Sequence, residues 1–342
     1  MNLAMALNPK IVIRLSLYIT FAIYFLCIFY FLSQDTKRAV IARYLGERPF
    51  ACYINSGKET GRTKISKDER GSIDRVVLNS CGKSVYIYEA IPKTVAKTSV
   101  IVIALHQTTN YGKDEVMGFD GDSNLSYGRT FFENGFIVIS PDVFVAGENY
   151  SPATGWDTAP FYREFPKWSA MGRMLQDDLA VSRYVEYKYP SNCVAAVGHS
   201  LGGHNALFLG AFDEKIDAVV SSAGFESISL DENASRWARD SWFVYMPLLK
   251  PYLSSPPPRK TPWDFDDLLK LIAPRPILVF QGLNDGTWTN PESASSLVSS
   301  VNQAYIHPPI EGVFHAEGHK FGYQMQLQSV DFLKKYTCMR SP

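Results

Sequence analysis

A serine lies between two glycines in the sequence GHSLG at positions 198–202, a match to the pattern G-x-S-x-G. The apolar run Val194–Val197 precedes it, and a helical pattern from Asn205 to Gly210 follows it. A sharp turn from strand to helix strains its central residue, and flanking glycines remove side chains that would collide there. Such a turn exposes the Ser200 hydroxyl near the positive end of a helix. The pattern predicts a nucleophile; the alternative is a Gly-Ser turn that only connects two elements.

A serine hydroxyl becomes an effective nucleophile when a base takes its proton and an acid orients that base. Asp285 is the predicted acid, because it follows the apolar run Ile277–Gln281 within a turn rich in glycine and asparagine. Glu226 and Asp231, which follow the preceding predicted strand, are the reserve candidates. The alternative for Asp285 is an aspartate that stabilises its own turn.

The predicted base is one of six histidines. His319 is favoured, because it lies in a Gly-His turn before a terminal helical pattern that would fix the loop, and His315 is its competitor. The spacing of these two histidines would also suit a metal pair on a helix, but Gly318 argues against a helix there. The sequence has no H-E-x-x-H or C-x-x-C motif and no P-loop lysine, so we expect no metal and no cofactor.

Attack on a carbonyl also needs hydrogen-bond donors for the developing oxyanion. The backbone N–H of Leu201, directly after the serine, is one predicted donor. The second is expected from the loop after an early strand, LHQTTNYGKDE, where Gln107 is assigned through its backbone N–H. The side-chain amide of Gln107 is a further candidate donor, and His106 is alternatively a packed turn residue.

Alternating strand and helix patterns predict an α/β fold with a doubly wound, mostly parallel sheet, preceded by antiparallel strands over Ile73–Ala90. The predicted parallel strands are Ser99–Leu105, Phe136–Ser140, Val194–Val197, Ala218–Ser222 and Ile277–Gln281. The predicted helices are Ser126–Asn134, Met171–Tyr187, Asn205–Phe212, Phe265–Ile272 and Ser293–Asn302.

The N-terminal part of the chain and one insertion do not follow this alternation of strands and helices. Residues 15–32 carry no charge and, as a helix, would span roughly 27 Å, which favours a membrane anchor over 1–32 rather than a cleaved signal peptide. Residues 33–72 are expected to form a tether and a first strand, and 73–342 the main domain. The aromatic stretch 225–263 is too long for an ordinary connection and predicts a short cap over the pocket or a surface excursion.

Formal net charge is zero over 342 residues, which argues against nucleic acid as a partner. Basic residues after the apolar stretch favour a cytoplasmic domain, but long domains translocate largely regardless of charge, and we expect the domain outside the cytoplasm. Cys52 and Cys81 lie in two strand-like segments and would be able to pair after export, or would be free buried thiols. Cys193 is expected in a core strand and Cys338 near the tail.

The segments ALHQTTNYGKDEVMG, VGHSLGGHNALFLGAFDEKIDAVVSSAGF and DFDDLLKLIAPRPILVFQGLNDG resemble the α/β-hydrolase superfamily over about Ile73 to Tyr336. They are similar to a bacterial branch near dienelactone hydrolases, acetyl xylan esterases and acylaminoacyl-peptidase-like proteins. The resemblance implies cofactor-free hydrolysis of an ester or related acyl bond, with Ser200, Asp285 and His319 as triad. Dienelactone hydrolases differ in using a cysteine nucleophile, and Gln107 replaces a glycine of the common oxyanion loop.

The prediction is therefore a membrane-tethered serine esterase that acts on a small-molecule acyl ester. An exopeptidase or amidase with the same triad, and a non-catalytic binding protein of the same fold, are the alternatives. Four aromatic residues would line the pocket or pack in the core: Trp156, Phe161, Tyr162 and Trp168.

Overall fold

The computed structural model of the chain describes residues 32–94, 100–305, 307 and 309–338. The predicted membrane anchor, apart from Leu32, lies outside these residues, as does Ser99 at the start of a predicted strand. No helix in the described ranges has the length and apolar character needed to cross a bilayer.

Nine strands of the described chain form one sheet in the order β1-β2-β3-β5-β4-β6-β7-β8-β9. The pairs β1·β2, β2·β3 and β3·β5 are antiparallel, whereas all pairs from β5 to β9 are parallel. The strands are β1 (Glu59–Lys67), β2 (Gly71–Ser80), β3 (Lys83–Pro92), β4 (Ile101–Leu105), β5 (Ile137–Pro141), β6 (Val194–His199), β7 (Ile216–Ser222), β8 (Ile277–Gly282) and β9 (Ile310–His315). The predicted α/β class with a mostly parallel sheet is confirmed.

An N-terminal helix over residues 32–45, named α1, and eight further α-helices accompany this sheet in the described chain. The others are α2 (Lys113–Met117), α3 (Tyr127–Glu133), α4 (Ala159–Glu164), α5 (Ala170–Lys188), α6 (Leu201–Phe212), α7 (Phe265–Ile272), α8 (Glu292–Asn302) and α9 (Tyr323–Tyr336). All five predicted helices are present, with ends that differ by up to four residues.

Helices cover both faces of the sheet, which explains the continuous apolar runs of the parallel strands. In β4, Ile101, Ile103 and Leu105 pack into the core beneath α1 and α5 to α8, and Val102 and Ala104 pack into the opposite core beneath α2, α3 and α9. Every residue of β4 is buried. This central part of the sheet is a rigid base for the loops at its carboxyl edge.

Two regions differ from the sequence-based expectation. The segment 33–72, expected to be a tether with one strand, contains α1, which buries Ile41 and Leu45 against the core, as well as β1. The edge strand β9 was missed, because its residues are mostly half-exposed or exposed and its sequence IEGVFH has no continuous apolar run.

The cysteines pair more fully than expected. Cys52 is bonded to Cys81, and Cys193 to Cys338. The strand-like segment around Cys52 is a 3-10 helix over Phe50–Tyr53 rather than a strand. The second pair was not foreseen, because 145 residues separate its members along the chain.

The insertion 225–263 contains neither a strand nor an α-helix, but two 3-10 helices over Ala234–Trp237 and Pro247–Tyr252. Its residues Trp237, Phe243 and Tyr245 are buried in the main core. The insertion therefore packs on the body of the domain, and the same segment also lines a pocket.

Candidate active site

Ser200 occupies a strained turn between β6 and α6, with φ 52° and ψ −119°. An added Cβ at Gly202 would lie 1.8 Å from the carbonyl oxygen of Leu105, and one at Gly198 would lie 2.2 Å from the Gly202 carbonyl carbon. The backbone N–H of Ser200 donates to the carbonyl of Ser222 on β7 (2.8 Å). The glycines thus allow the turn to form and bring the end of β4 against the serine, as the G-x-S-x-G pattern predicts.

His319 and Asp285 form a direct side-chain hydrogen bond, with 2.7 Å between Nδ1 and Oδ2. The Asp285 side chain is fully buried, and its Oδ1 accepts a second hydrogen bond from the N–H of Thr287 (2.9 Å). Burial opposes ionisation of Asp285, but the hydrogen bond and charge of His319 outweigh it and lower the pKa of this carboxyl. The carboxylate is therefore positioned to hold the imidazole in one orientation.

The loops that carry these two residues are tied together by backbone contacts. The N–H of Leu283 donates to the carbonyl of His315, and the Asn284 side-chain amide donates to the carbonyl of Ala316, both at 2.7 Å. A Cβ at Gly282 would lie 2.3 Å from the carbonyl oxygen of Glu317. Glycine at position 282 is what allows the loop after β8 and the loop after β9 to approach each other.

His319 lies beside the strained turn. Its ring centroid is 4.7 Å from that of His199, the residue before Ser200. Because Nδ1 bonds to Asp285, the Nε2 atom of His319 is the ring nitrogen available for a further partner. The Ser200 hydroxyl forms no hydrogen bond with any residue that the structure describes. The structure thus brings the three predicted residues to one edge of the sheet, with the His319–Asp285 bond formed.

The competing residues form no comparable histidine–carboxylate pair. Neither ring nitrogen of His315 has a hydrogen-bond partner in the described chain. Glu226 and Asp231 pair with Arg236 at 3.8 and 3.1 Å, and Asp231 also accepts from the indole N–H of Trp237. None of these carboxylates bonds to a histidine within the described residues.

Near Gln107, the side-chain amide donates one hydrogen bond to Glu115 (3.0 Å), so one of its two N–H groups is engaged. The backbone N–H groups of Gln107 and Leu201 donate to no described residue. His106 is buried, and its Nε2 accepts from the N–H of Val143 (2.9 Å). Its other ring nitrogen therefore donates to the Gln107 carbonyl (2.5 Å), which makes His106 a residue that shapes this loop.

A pocket of about 160 Å³ contains Ser200. Of the two alternatives for Trp156, Phe161, Tyr162 and Trp168, the structure favours packing in the core, because none of them lines this pocket. Most of the lining comes from the insertion, for which the sequence predicted a cap over the pocket or a surface excursion, and from the loop after Asp285. The lining residues are Thr108, Ser200, Leu201, His204, Arg236, Trp237, Arg239, Trp242, Phe243, Tyr245, Thr287 and Trp288.

No group of three or more His, Cys, Asp or Glu side chains in the described ranges is arranged to hold a metal ion. Buried histidines near the serine are held neutral instead. Burial, followed by the charge of His319, lowers the pKa of His199 to about 3, and burial lowers that of His204 to about 3.

Comparison with known proteins gives structural matches only. No protein-family model and no curated protein sequence matches the chain. A promiscuous CE15 esterase from a marine bacterial metagenome superposes with a TM-score of 0.64 at 16% identity, over 89% of this chain and 91% of that one.

Two further solved structures are similar. A glucuronoyl esterase from Solibacter usitatus has a TM-score of 0.63 at 15% identity, over 87% of this chain and 91% of that one. Methylesterase BT1017 also gives 0.63 at 15% identity, over 90% of this chain, which spans only 64% of that protein's length. At this identity the likeness is one of fold, and it confirms that the chain has the α/β-hydrolase fold.

Proposed function

We propose that this protein is a serine hydrolase that cleaves a carboxylic ester, with Ser200 as nucleophile, His319 as base and Asp285 as the acid that orients it. The observation that carries the proposal is the 2.7 Å hydrogen bond from His319 to the buried Asp285, located beside the strained turn of Ser200. The esterases of similar fold support the choice of reaction.

In the proposed reaction, the Ser200 hydroxyl attacks the acyl carbon while Nε2 of His319 accepts its proton. The hydrogen bond between a catalytic serine and its base commonly tightens once substrate is bound. The tetrahedral intermediate then collapses, the bond to the alcohol breaks, and His319 returns the proton to the leaving oxygen. Water repeats the sequence on the acyl-enzyme, which releases the acid and restores the serine.

The backbone N–H groups of Leu201 and Gln107 are the proposed donors to the oxyanion. Leu201 begins α6, so its N–H has no partner within the helix, and the close contact of Gly202 with Leu105 brings the start of the Gln107 loop to the same side. A preorganised donor of this kind typically contributes about 3–4 kcal/mol to transition-state stabilisation.

Initial rates on 4-nitrophenyl butyrate and on an aminoacyl 4-nitroanilide test this proposal. We expect hydrolysis of the ester and little or none of the anilide. Faster cleavage of the anilide would replace the esterase by an amidase or exopeptidase, and no turnover of either, with the fold intact, would favour a binding protein.

We also propose that the domain lies outside the cytoplasm, attached to a membrane through residues 15–32. Two disulfides support an oxidising compartment, and the uncharged apolar stretch supports the attachment. Alkylation of the protein in intact cells before reduction should leave Cys52, Cys81, Cys193 and Cys338 unmodified. Complete alkylation of these cysteines would contradict the proposed location.

A further inference from the structure

Two arginines of the insertion line the pocket that contains Ser200, and only one of them is paired with carboxylates. Arg236 is anchored: its guanidinium pairs with Asp231 at 3.1 Å and Glu226 at 3.8 Å, and it donates to the carbonyl of Thr287. Only 13% of its side chain is exposed. The carboxylates that face it are fully buried, so Arg236 is a fixed and largely compensated cation.

Arg239 has no such partner. It is half-buried, and it forms no ion pair and no side-chain hydrogen bond with a residue that the structure describes. Its guanidinium carbon lies 5.0 Å from the ring centroid of Trp242. The adjacent carboxylate, Asp240, pairs with Lys250 instead. Arg239 is therefore a cation stacked on an aromatic wall, with its donors directed to no acceptor of the described chain.

The surrounding charges leave the pocket positive. Burial and the neighbouring charge of Arg236 lower the pKa of Arg239. Burial, followed by the charge of Asp231, raises the pKa of Glu226 to about 7, so that near neutrality Glu226 offers only part of a negative charge. Two guanidinium groups line the pocket, whereas the carboxylates of Glu226 and Asp231 pair with Arg236 alone, so an added anion would balance the charge of Arg239.

Resting on the proposed function, we propose that Arg239 binds a carboxylate of the substrate, so that the enzyme prefers small esters bearing a carboxylate in addition to the ester bond. The planar guanidinium fork matches a carboxylate through two parallel hydrogen bonds. The pocket volume of about 160 Å³ is close to that of a cavity of about 150 Å³ that binds benzene. A single uncompensated cation in a space of this size suits a small monoanion.

Two matched pairs of esters test the preference on either side of the scissile bond. On the acyl side, 4-nitrophenyl hemiadipate is compared with 4-nitrophenyl hexanoate; on the alcohol side, 3-carboxy-4-nitrophenyl butyrate is compared with 4-nitrophenyl butyrate. We expect kcat/KM to favour the charged member of at least one pair. Equal or lower kcat/KM for the charged member of both pairs would overturn the proposal.

Variants assign the preference to its residue. Arg239→Gln should lower the charged-to-neutral ratio of kcat/KM about tenfold or more, chiefly through KM, and Arg239→Lys should keep part of it. Arg163→Gln, which removes an exposed positive charge on α4 that does not line the pocket, is the control for net charge. A ratio that falls equally in both Gln variants, or in neither, would show that Arg239 only packs on Trp242.

A binding measurement separates this inference from the proposed chemistry. In the Ser200→Ala variant, quenching of tryptophan fluorescence by monomethyl adipate should saturate at lower concentration than quenching by dimethyl adipate, and the added Arg239→Gln change should remove the difference. If the wild type hydrolyses no ester but this difference is present, the proposed function fails and the carboxylate site stands. If esters are hydrolysed and the difference is absent, only the carboxylate site fails.

Discussion

Two loops at the carboxyl edge of the same sheet carry buried carboxylates, and the basic groups that meet them are different. After β8, Asp285 meets the imidazole of His319 at 2.7 Å. After β7, Glu226 and Asp231 meet the guanidinium of Arg236. An imidazole can accept and return a proton near neutral pH, whereas a guanidinium stays charged.

The pKa values of the carboxyls diverge accordingly. That of Asp285 is lowered, despite burial, by His319 and by the N–H and hydroxyl of Thr287, while that of Glu226 is raised to about 7 by burial and by Asp231. Asp285, Glu226 and Asp231 each follow a parallel strand, so each is a candidate for the acid that orients the catalytic base. The partner that the fold supplies determines whether a carboxylate orients a base or holds a cation in the pocket wall.

The largest expected effect comes from exchanging the carboxylates for amides. Asp285→Asn should lower kcat about 10³–10⁴-fold, because the amide keeps the shape of the side chain but cannot stabilise a protonated His319. Asp231→Asn, the matched change in the other loop, should lower kcat far less. Steady-state kinetics on 4-nitrophenyl butyrate measure both, and equal losses would break the distinction between the loops.

A smaller effect should follow from separating the two loops that hold Asp285 and His319. Gly282→Ala places a methyl group 2.3 Å from the Glu317 carbonyl. We expect a loss of about 1–3 kcal/mol in unfolding free energy and roughly a 10²-fold fall in kcat as the histidine is displaced.

Gly286→Ala is the control in the same loop, because an added Cβ there meets nothing within 4 Å. Urea unfolding and kinetics should leave it close to wild type. If Gly282→Ala is as active and as stable as this control, the contact between the loops does not position the imidazole.

The smallest expected effect concerns Glu226 and stability. Its pKa is raised to about 7 in the folded state from 4.5, so the folded protein holds the proton more tightly, and the stability this supplies is lost as the pH rises from about 4.5 to about 7. Glu226→Gln cannot titrate. The unfolding free energy of wild type minus that of the variant should therefore fall across this interval, by about 1–3 kcal/mol.

Urea unfolding of both proteins at several pH values measures this difference, in which buried His199 and His204 contribute equally to each protein and cancel. A difference that is constant, or that increases with pH, would contradict the raised pKa of Glu226 and the charge balance assigned to the pocket.

The sequence carried enough information to place the central strands and to nominate Ser200, Asp285 and His319. Parallel strands covered by helices need continuous apolar runs, and they direct the following loops to one edge. The residue type and its position after an apolar run are then sufficient to select candidate catalytic residues. The choice of His319 over His315 could not be settled this way, because it depends on contacts such as those around Gly282.

Other features were beyond sequence reasoning for physical reasons. Arg239 and Trp242 lie in an insertion without helical or strand periodicity, so their approach to Ser200 is visible only in three dimensions. The Cys193–Cys338 pair depends on where the last helix docks. The edge strand β9 has a mixed burial pattern that resembles a loop.

Labelling with a fluorophosphonate, followed by mass spectrometry of the digested protein, tests the central claim most directly. The account predicts that one phosphonyl group is added, on the peptide that contains Ser200, and that Ser200→Ala removes the labelling while the protein stays folded. Labelling that persists in the folded alanine variant, or that falls on another residue, would contradict it.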